Sequence, residues 1–165
     1  PHTWLDPSQA LEMAQLIAAE LSRLAPESAA EFSNRLEKLR QQMADLDAEI
    51  RAILAPYPGR EFFVFHPAFG HFAAAYGLVQ IAVEDHGHEP GPKQLAKVIE
   101  HAQASGAVAL IVQPQFSQKA AGTVARSAGL EVVVLDPLSD QYDTNMKHIA
   151  ATLAGLFSRT GKATP

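Results

Sequence analysis

His66 closes a short apolar run, Phe62-Phe63-Val64-Phe65, and the Pro67 that follows holds its backbone extended. A second apolar run, Glu131-Val132-Val133-Val134-Leu135, ends in the same way on Asp136 and Pro137. A neutral imidazole coordinates zinc at about 2.0–2.1 Å, and a carboxylate is its usual oxygen companion. In open parallel α/β sheets, ligands bind outside the carboxyl ends of the strands. The chemistry these residues point to is therefore that of a divalent metal. His2 can approach such a site from a third direction. Each candidate also has an ordinary structural reading. His66 can close its strand through a local hydrogen bond, and on strand position alone both readings stand. Asp-Pro is a common turn starter. A lone histidine beside a terminus is more often solvated, and Asp6 is better explained as a helix cap than as a ligand. His86-Gly87-His88, between Asp85 and Glu89, is a weaker, secondary metal pair in a polar loop. His71 should lie on the helix after His66 and line the pocket, while His101 and His148 should be surface residues on helices.

Bulk properties narrow the remaining classes. A chain of 165 residues that is 47% hydrophobic can bury a core and should form a single α/β unit. A net charge of -5 argues against a general nucleic-acid binder, which needs a basic face. No apolar run approaches the roughly 20 residues needed to span a bilayer. Cysteine is absent, so the seven histidines and the carboxylates are the only metal donors of consequence. Dinucleotide and phosphate-cradling glycine motifs, the serine elbow and the His-Glu-x-x-His helix are all missing. Glu84 or Glu89 can be offered as the base of a hydrolase, although nothing in their spacing demands it. The chain opens on Pro1-His2 with neither an initiator methionine nor a signal peptide, as a processed or truncated product would.

The elements that must position these residues follow from local signals. Asp6-Pro7-Ser8-Gln9 starts a helix: Asp6 caps, Pro7 suits the first position, and Gln9 can complete a capping box. That helix should run to about Leu24, before Ala25-Pro26. A longer one follows from Glu27 to about Leu54, with an apolar seam of Phe32, Leu36, Leu39, Met43, Leu46, Ile50 and Leu54. After Pro56-Tyr57-Pro58-Gly59, strands at Phe62–Phe65, Leu78–Val83, Ala107–Val112 and Glu131–Leu135 alternate with helices. Those helices should lie at about Phe69–Tyr76, Pro92–Ala104, Ser117–Ser127 and Gln141–Ser158. Such alternation predicts a four-stranded parallel sheet with helices on both faces, preceded by a long helix. Gly77, Gly106 and Gly129 sit where helices end in a left-handed cap. The organisation reads as N-terminal helices over 1–57 and an α/β unit over 58–165.

Taken together, these residues resemble a known family. The motifs are Pro1-His2-Thr3-Trp4-Leu5-Asp6-Pro7, His66-Pro67-Ala68-Phe69-Gly70-His71-Phe72 with Tyr76-Gly77-Leu78, Glu89-Pro90, Gln113-Pro114-Gln115-Phe116-Ser117, and Leu135-Asp136-Pro137-Leu138. In this order, over nearly the whole chain, they are similar to the C-terminal part of the zinc- and manganese-type solute-binding proteins of bacterial ABC transporters. The resemblance implies two lobes joined by a long helix, with a metal held between them. It places His2, His66 and Asp136 at three of four usual ligand positions. Histidine at position 66 resembles the zinc subtype rather than the manganese subtype, in keeping with imidazole as a zinc donor. It further implies a periplasmic or extracellular location, an ABC permease as partner, and a lobe whose uncovered surface can self-associate. The opposing lobe with the fourth ligand lies outside this sequence, so the site is expected to be incomplete here. Gln113 stands where glutamate is common in the family, and His71 where tyrosine is common.

Three functions then compete. A transport receptor lobe captures zinc without chemistry. A zinc-dependent hydrolase needs a base beside an open metal position. A plain α/β interaction domain would use His66 and Asp136 only as strand-end punctuation, with their side chains pointing apart.

Overall fold

The computed structural model describes residues 1–84 and 91–159 of the chain. Helices α1 (Pro7–Leu24) and α2 (Ala29–Leu54) form an antiparallel hairpin, broken at Ala25 and a single 3₁₀ turn. Then follow β1 (Glu61–Val64), α3 (Gly70–Ala75), β2 (Val79–Ala82), α4 (Pro92–Ala104), β3 (Ala109–Val112), α5 (Gln118–Ala128), β4 (Glu131–Val134) and α6 (Tyr142–Arg159). The sheet is parallel throughout, in the order β2-β1-β3-β4. β2, β3 and β4 are one or two residues shorter than the apolar runs, and β1 is shifted one residue earlier, to Glu61. The pairing nevertheless continues beyond β1 and β2, since the Glu84 N–H donates to the Phe65 carbonyl at 3.0 Å.

Alternation along the strands divides the core into two layers. Phe62 and Val64 of β1, with Ala109 and Ile111 of β3, pack against α2, α3 and α6. Phe63, Phe65, Leu110 and Val112 face α4 and α5. Burying each large side chain stabilises the fold by about 1.5–3 kcal/mol. The central strands β1 and β3 are covered on both faces, while Val79, Val132 and Val134 of the edge strands stay exposed. The α2 seam is used unevenly. Met43, Leu46, Ile50 and Leu54 are buried in the first layer, whereas Phe32, Leu36 and Leu39 are only partly covered. The helix therefore docks by its C-terminal half, as a long amphipathic helix lying on the sheet.

Helix α1 packs mainly on α2 and leaves Met13, Leu16, Ile17, Leu21 and Leu24 exposed. A cavity of about 570 Å3 opens between the two helices, lined by Trp4, Met13, Ile17, Leu39, Met43 and Tyr142 among others. Gly77, Gly106 and Gly129 all have φ near +70°, between 66 and 74, as left-handed helix ends require.

Candidate metal centre

The chain leaves β1 towards β2 on one side, while β3 and β4 lie on the other. The crevice between β1 and β3 is thus the point where strand order reverses, the place where open α/β sheets bind ligands. His66 stands at its mouth. Extending the parallel register by two residues from Val64↔Ala82 sets His66 opposite Glu84. The same extension from Val64↔Ile111 sets it opposite Gln113. Glu84, His66 and Gln113 therefore form one row across three strands.

That row is hydrogen-bonded through. His66 Nδ1 lies 2.7 Å from Glu84 Oε2. Gln113, fully buried, donates from Nε2 to the His66 carbonyl at 2.7 Å. Phe116 stacks on the imidazole with ring centroids 4.6 Å apart and planes 22° from parallel. His66 is held at its ring, its edge and its main chain.

His2 is not the solvated terminal residue its position indicates. It sits in a left-handed conformation (φ 65°) ahead of a 3₁₀ turn at Thr3–Leu5. Its ring meets that of His66 edge to face, with centroids 5.5 Å apart. Trp4 supplies the anchor. The indole Nε1 donates to the Pro137 carbonyl at 2.8 Å, and the Tyr142 hydroxyl donates to the Trp4 carbonyl at 2.7 Å. Burial, reinforced by nearby charges, raises the Tyr142 hydroxyl above its usual range and keeps it a donor. The turn carrying His2 is thereby tied to the loop that follows Asp136. Burial first, then His66 and His71 nearby, hold the His2 imidazole below its usual range.

Asp136 lies on the same carboxyl edge, beyond β4. Two strand spacings, roughly 10 Å of backbone, separate it from His66. Its Oδ1 accepts from Gln115 Nε2 at 2.8 Å and from the Leu138 N–H at 3.0 Å, and Asn145 Nδ2 holds its carbonyl at 2.7 Å. The turn role assigned to Asp-Pro is present, at the carboxyl edge of the sheet. Among the described residues, no three His, Asp or Glu side chains are close enough to hold a metal together. The structure thus joins His2 to His66 and leaves Asp136 on the same rim, engaged by its own loop.

His71 is half-buried on α3, the helix whose start is fixed by Gln80 Oε1 accepting from the Phe69 N–H at 2.7 Å. Its Nδ1 lies 3.0 Å from Gln9 Nε2. Gln9 does not complete a capping box. Its amide nitrogen donates to Asp6 Oδ2 at 3.1 Å instead of an oxygen reaching back to the cap main chain. Asp6 itself caps α1, accepting from the Ser8 N–H at 2.9 Å. Desolvation works against the Asp6 charge, but hydrogen bonds from Ser8 and Gln9 outweigh it and hold the carboxyl below its usual range. His86 and His88 lie outside the described residues. His101 and His148 are exposed, as expected, though His101 also meets Glu61 at 2.7 Å.

An all-parallel α/β lobe entered through a long helix is an architecture shared with solved structures of ZnuA. A crystal structure of ZnuA superposes with a TM-score of 0.90 at 35% identity, covering 94% of this chain and 61% of that one. A ZnuA deletion mutant with zinc bound gives 0.89 at 34% identity, covering 100% and 62%. Residues 1–155 match the family described as zinc-uptake complex component A, periplasmic, and the chain belongs to that family. Among curated relatives, the high-affinity zinc uptake system protein ZnuA of Haemophilus influenzae is 31% identical over 142 residues, 85% of this chain. Zinc-binding protein AdcA of Streptococcus pyogenes serotype M1 is 30% identical over 149 residues, 89% of this chain. The chain spans 42% of the first and 29% of the second, less than half of either.

Proposed function

We propose that this chain is the C-terminal lobe and linking helix of an extracytoplasmic receptor that captures Zn2+ and passes it to an ABC permease in the membrane. His2, His66 and Asp136 are the ligands it contributes. The boundary near residue 57 separates the helices that link the lobes from the α/β lobe that holds the metal. The observation that carries this reading is the approach of His2 to His66 at the switch-point crevice. With zinc–nitrogen bonds of about 2.0–2.1 Å, two imidazoles at a tetrahedral angle place their centroids about 5 Å apart. The separation found is 5.5 Å. Two imidazoles and a carboxylate, without thiolate, form a donor set suited to zinc in preference to manganese. Asp136 completes the set by turning its carboxylate away from Gln115 towards the crevice.

Capture on this reading is ligand exchange, with imidazole and carboxylate replacing water around the ion. Burial holds the His2 imidazole below its usual range, which favours the unprotonated ring that a metal requires. The hydrolase alternative is weakened by Glu84. That carboxylate is buried and engaged with His66, and Glu89, the other base on offer, lies outside the described residues. The approach of the His2 and His66 rings speaks against a plain interaction domain, whereas Asp136 stays engaged by Gln115 and Leu138, as that alternative expects. The apolar α1 face supports pairing of isolated lobes, which light scattering on the 165-residue chain tests directly.

The deciding experiment is zinc titration by calorimetry on the full-length protein, on this chain alone and on His66→Ala. Tight binding in the full-length protein, weaker binding in this chain and a large loss in the variant support the reading. Equal binding by wild type and His66→Ala ends it.

A further inference from the structure

Two histidines near His2 are gripped by partners of opposite hydrogen-bonding type. At His66, Nδ1 faces a buried carboxylate oxygen of Glu84 at 2.7 Å. A carboxylate only accepts, so the hydrogen of the neutral ring lies on Nδ1 and the lone pair on Nε2. At His71 the logic inverts. Its Nδ1 meets the amide nitrogen of Gln9 at 3.0 Å, and that same nitrogen lies 3.1 Å from Asp6 Oδ2. The Asp6 carboxylate fixes which end of the Gln9 amide is the donor, because the flipped amide would set oxygen against oxygen. The NH2 group has two hydrogens, one for Asp6 and one for His71. Nδ1 of His71 therefore accepts, and its ring hydrogen lies on Nε2.

We propose that Glu84 and Gln9 sort these histidines into opposite tautomers, Glu84 presenting Nε2 of His66 to zinc and Gln9 keeping His71 an N–H donor outside the ligand set. Glu84 is then a positioning residue: it touches no metal and acts through His66, fixing the orientation and raising the basicity of the ligating nitrogen. His71 lines the site without adding a further imidazole to it. Its Nε2–H is available to an acceptor at the rim, a carboxylate or a water. The proposal rests on the zinc reading above for its ligand half, while the tautomers can be read without any metal.

The test uses the full-length protein. Long-range proton–nitrogen NMR on the zinc-free form should show His66 protonated at Nδ1 and His71 protonated at Nε2. Gln9→Ala should leave His66 unchanged and give His71 a mixture of tautomers. In chelator-competition titrations, Glu84→Ala should weaken zinc binding by about 10–100-fold, Glu84→Gln, whose oxygen still accepts, by about 2–10-fold, and His71→Phe by less than about threefold. Circular dichroism of each zinc-free variant confirms the fold, and Glu84→Gln decides the matter if Glu84→Ala does not fold. A hydrogen on His66 Nε2, zinc affinity unchanged in the Glu84 variants, or a loss in His71→Phe as large as in Glu84→Ala overturns the proposal. Wild-type protein with both tautomers as stated but no zinc binding overturns the receptor reading and the ligand half with it, leaving the tautomer assignment intact.

Discussion

Strand β1 carries a histidine–glutamate pair at each end, and the two bonds have the same length. His66 meets Glu84 at 2.7 Å beyond its carboxyl end, and His101 of α4 meets Glu61 at 2.7 Å at its start. Their surroundings differ. The side chains of the first pair are 21% and 7% exposed, those of the second 45% and 33%. His66 is stacked on Phe116 and tied through its carbonyl to Gln113. His101 has one edge-on contact with Phe63, at 5.5 Å and 77°. Distance alone would rank the pairs equal. Solvent screens the exposed pair, and its side chains lose rotamer freedom to hold one geometry. The buried pair cannot trade its partner for water, so its geometry is fixed. A histidine needed to meet a ligand in one orientation belongs at the buried end.

The sharpest way to break this comparison is to truncate both histidines and measure zinc affinity. His66→Ala should lose at least about 100-fold, more than removal of an outer-shell partner alone. His101→Ala should lose nothing measurable, and a comparable loss there would mean that the two ends of β1 do not differ in function.

Next in size is the main-chain support of His66. Gln113→Leu keeps the bulk but strips the donor from the His66 carbonyl, and should cost about 1–3 kcal/mol in urea denaturation. A neutral result would show that the carbonyl finds another partner and that the row across the strands is not rigid.

The arm that carries His2 provides a smaller effect. Asp6→Ala removes the α1 cap and should cost about 1 kcal/mol. Because the folded carboxyl titrates below the usual carboxylate range, this contribution is complete above that range and is lost as pH falls through the folded value. The stability difference between wild type and variant should therefore be flat at neutral pH and shrink only in strong acid. A difference that shrinks between pH 5 and 7 contradicts the cap assignment.

The smallest expected effect is at the exposed pair itself. Glu61→Ala should leave both Tm and zinc affinity unchanged within error, whereas Glu84→Ala changes affinity. Equal behaviour of the two glutamates would remove burial as the explanation.

Much of this molecule was legible before its fold. Among the described residues every α-helix and strand answers to a predicted one, because each rests on local signals such as apolar alternation, Asp6 before Pro7, Ser117 before α5 and glycines at helix ends. The 3₁₀ turns at Thr3–Leu5 and Pro26–Ser28 have no such signal. The misses lie where a partner distant in the chain intervenes. Gln9 matches a capping-box pattern, but its amide is drawn to the Asp6 carboxylate and to His71, partners that the pattern does not contain. By position alone His2 would be solvated, while the family resemblance sets it at the site; its anchor Trp4 acts across 133 residues on Pro137, which no local pattern shows. Glu84 could be named only as a possible base, since its role depends on register.

Sequence by itself determined that His66 and Asp136 end apolar strands, that both reach the same edge of a parallel sheet, and that imidazole and carboxylate are the only donors. Those properties follow from chain-local periodicity and composition. Tertiary structure alone decided which strands are neighbours, and so which side chains meet. The order β2-β1-β3-β4 brings Glu84 across 18 residues and Gln113 across 47 to the two sides of His66. Register between distant strands is set by packing both layers of the core at once, and no local pattern in the chain encodes that sum.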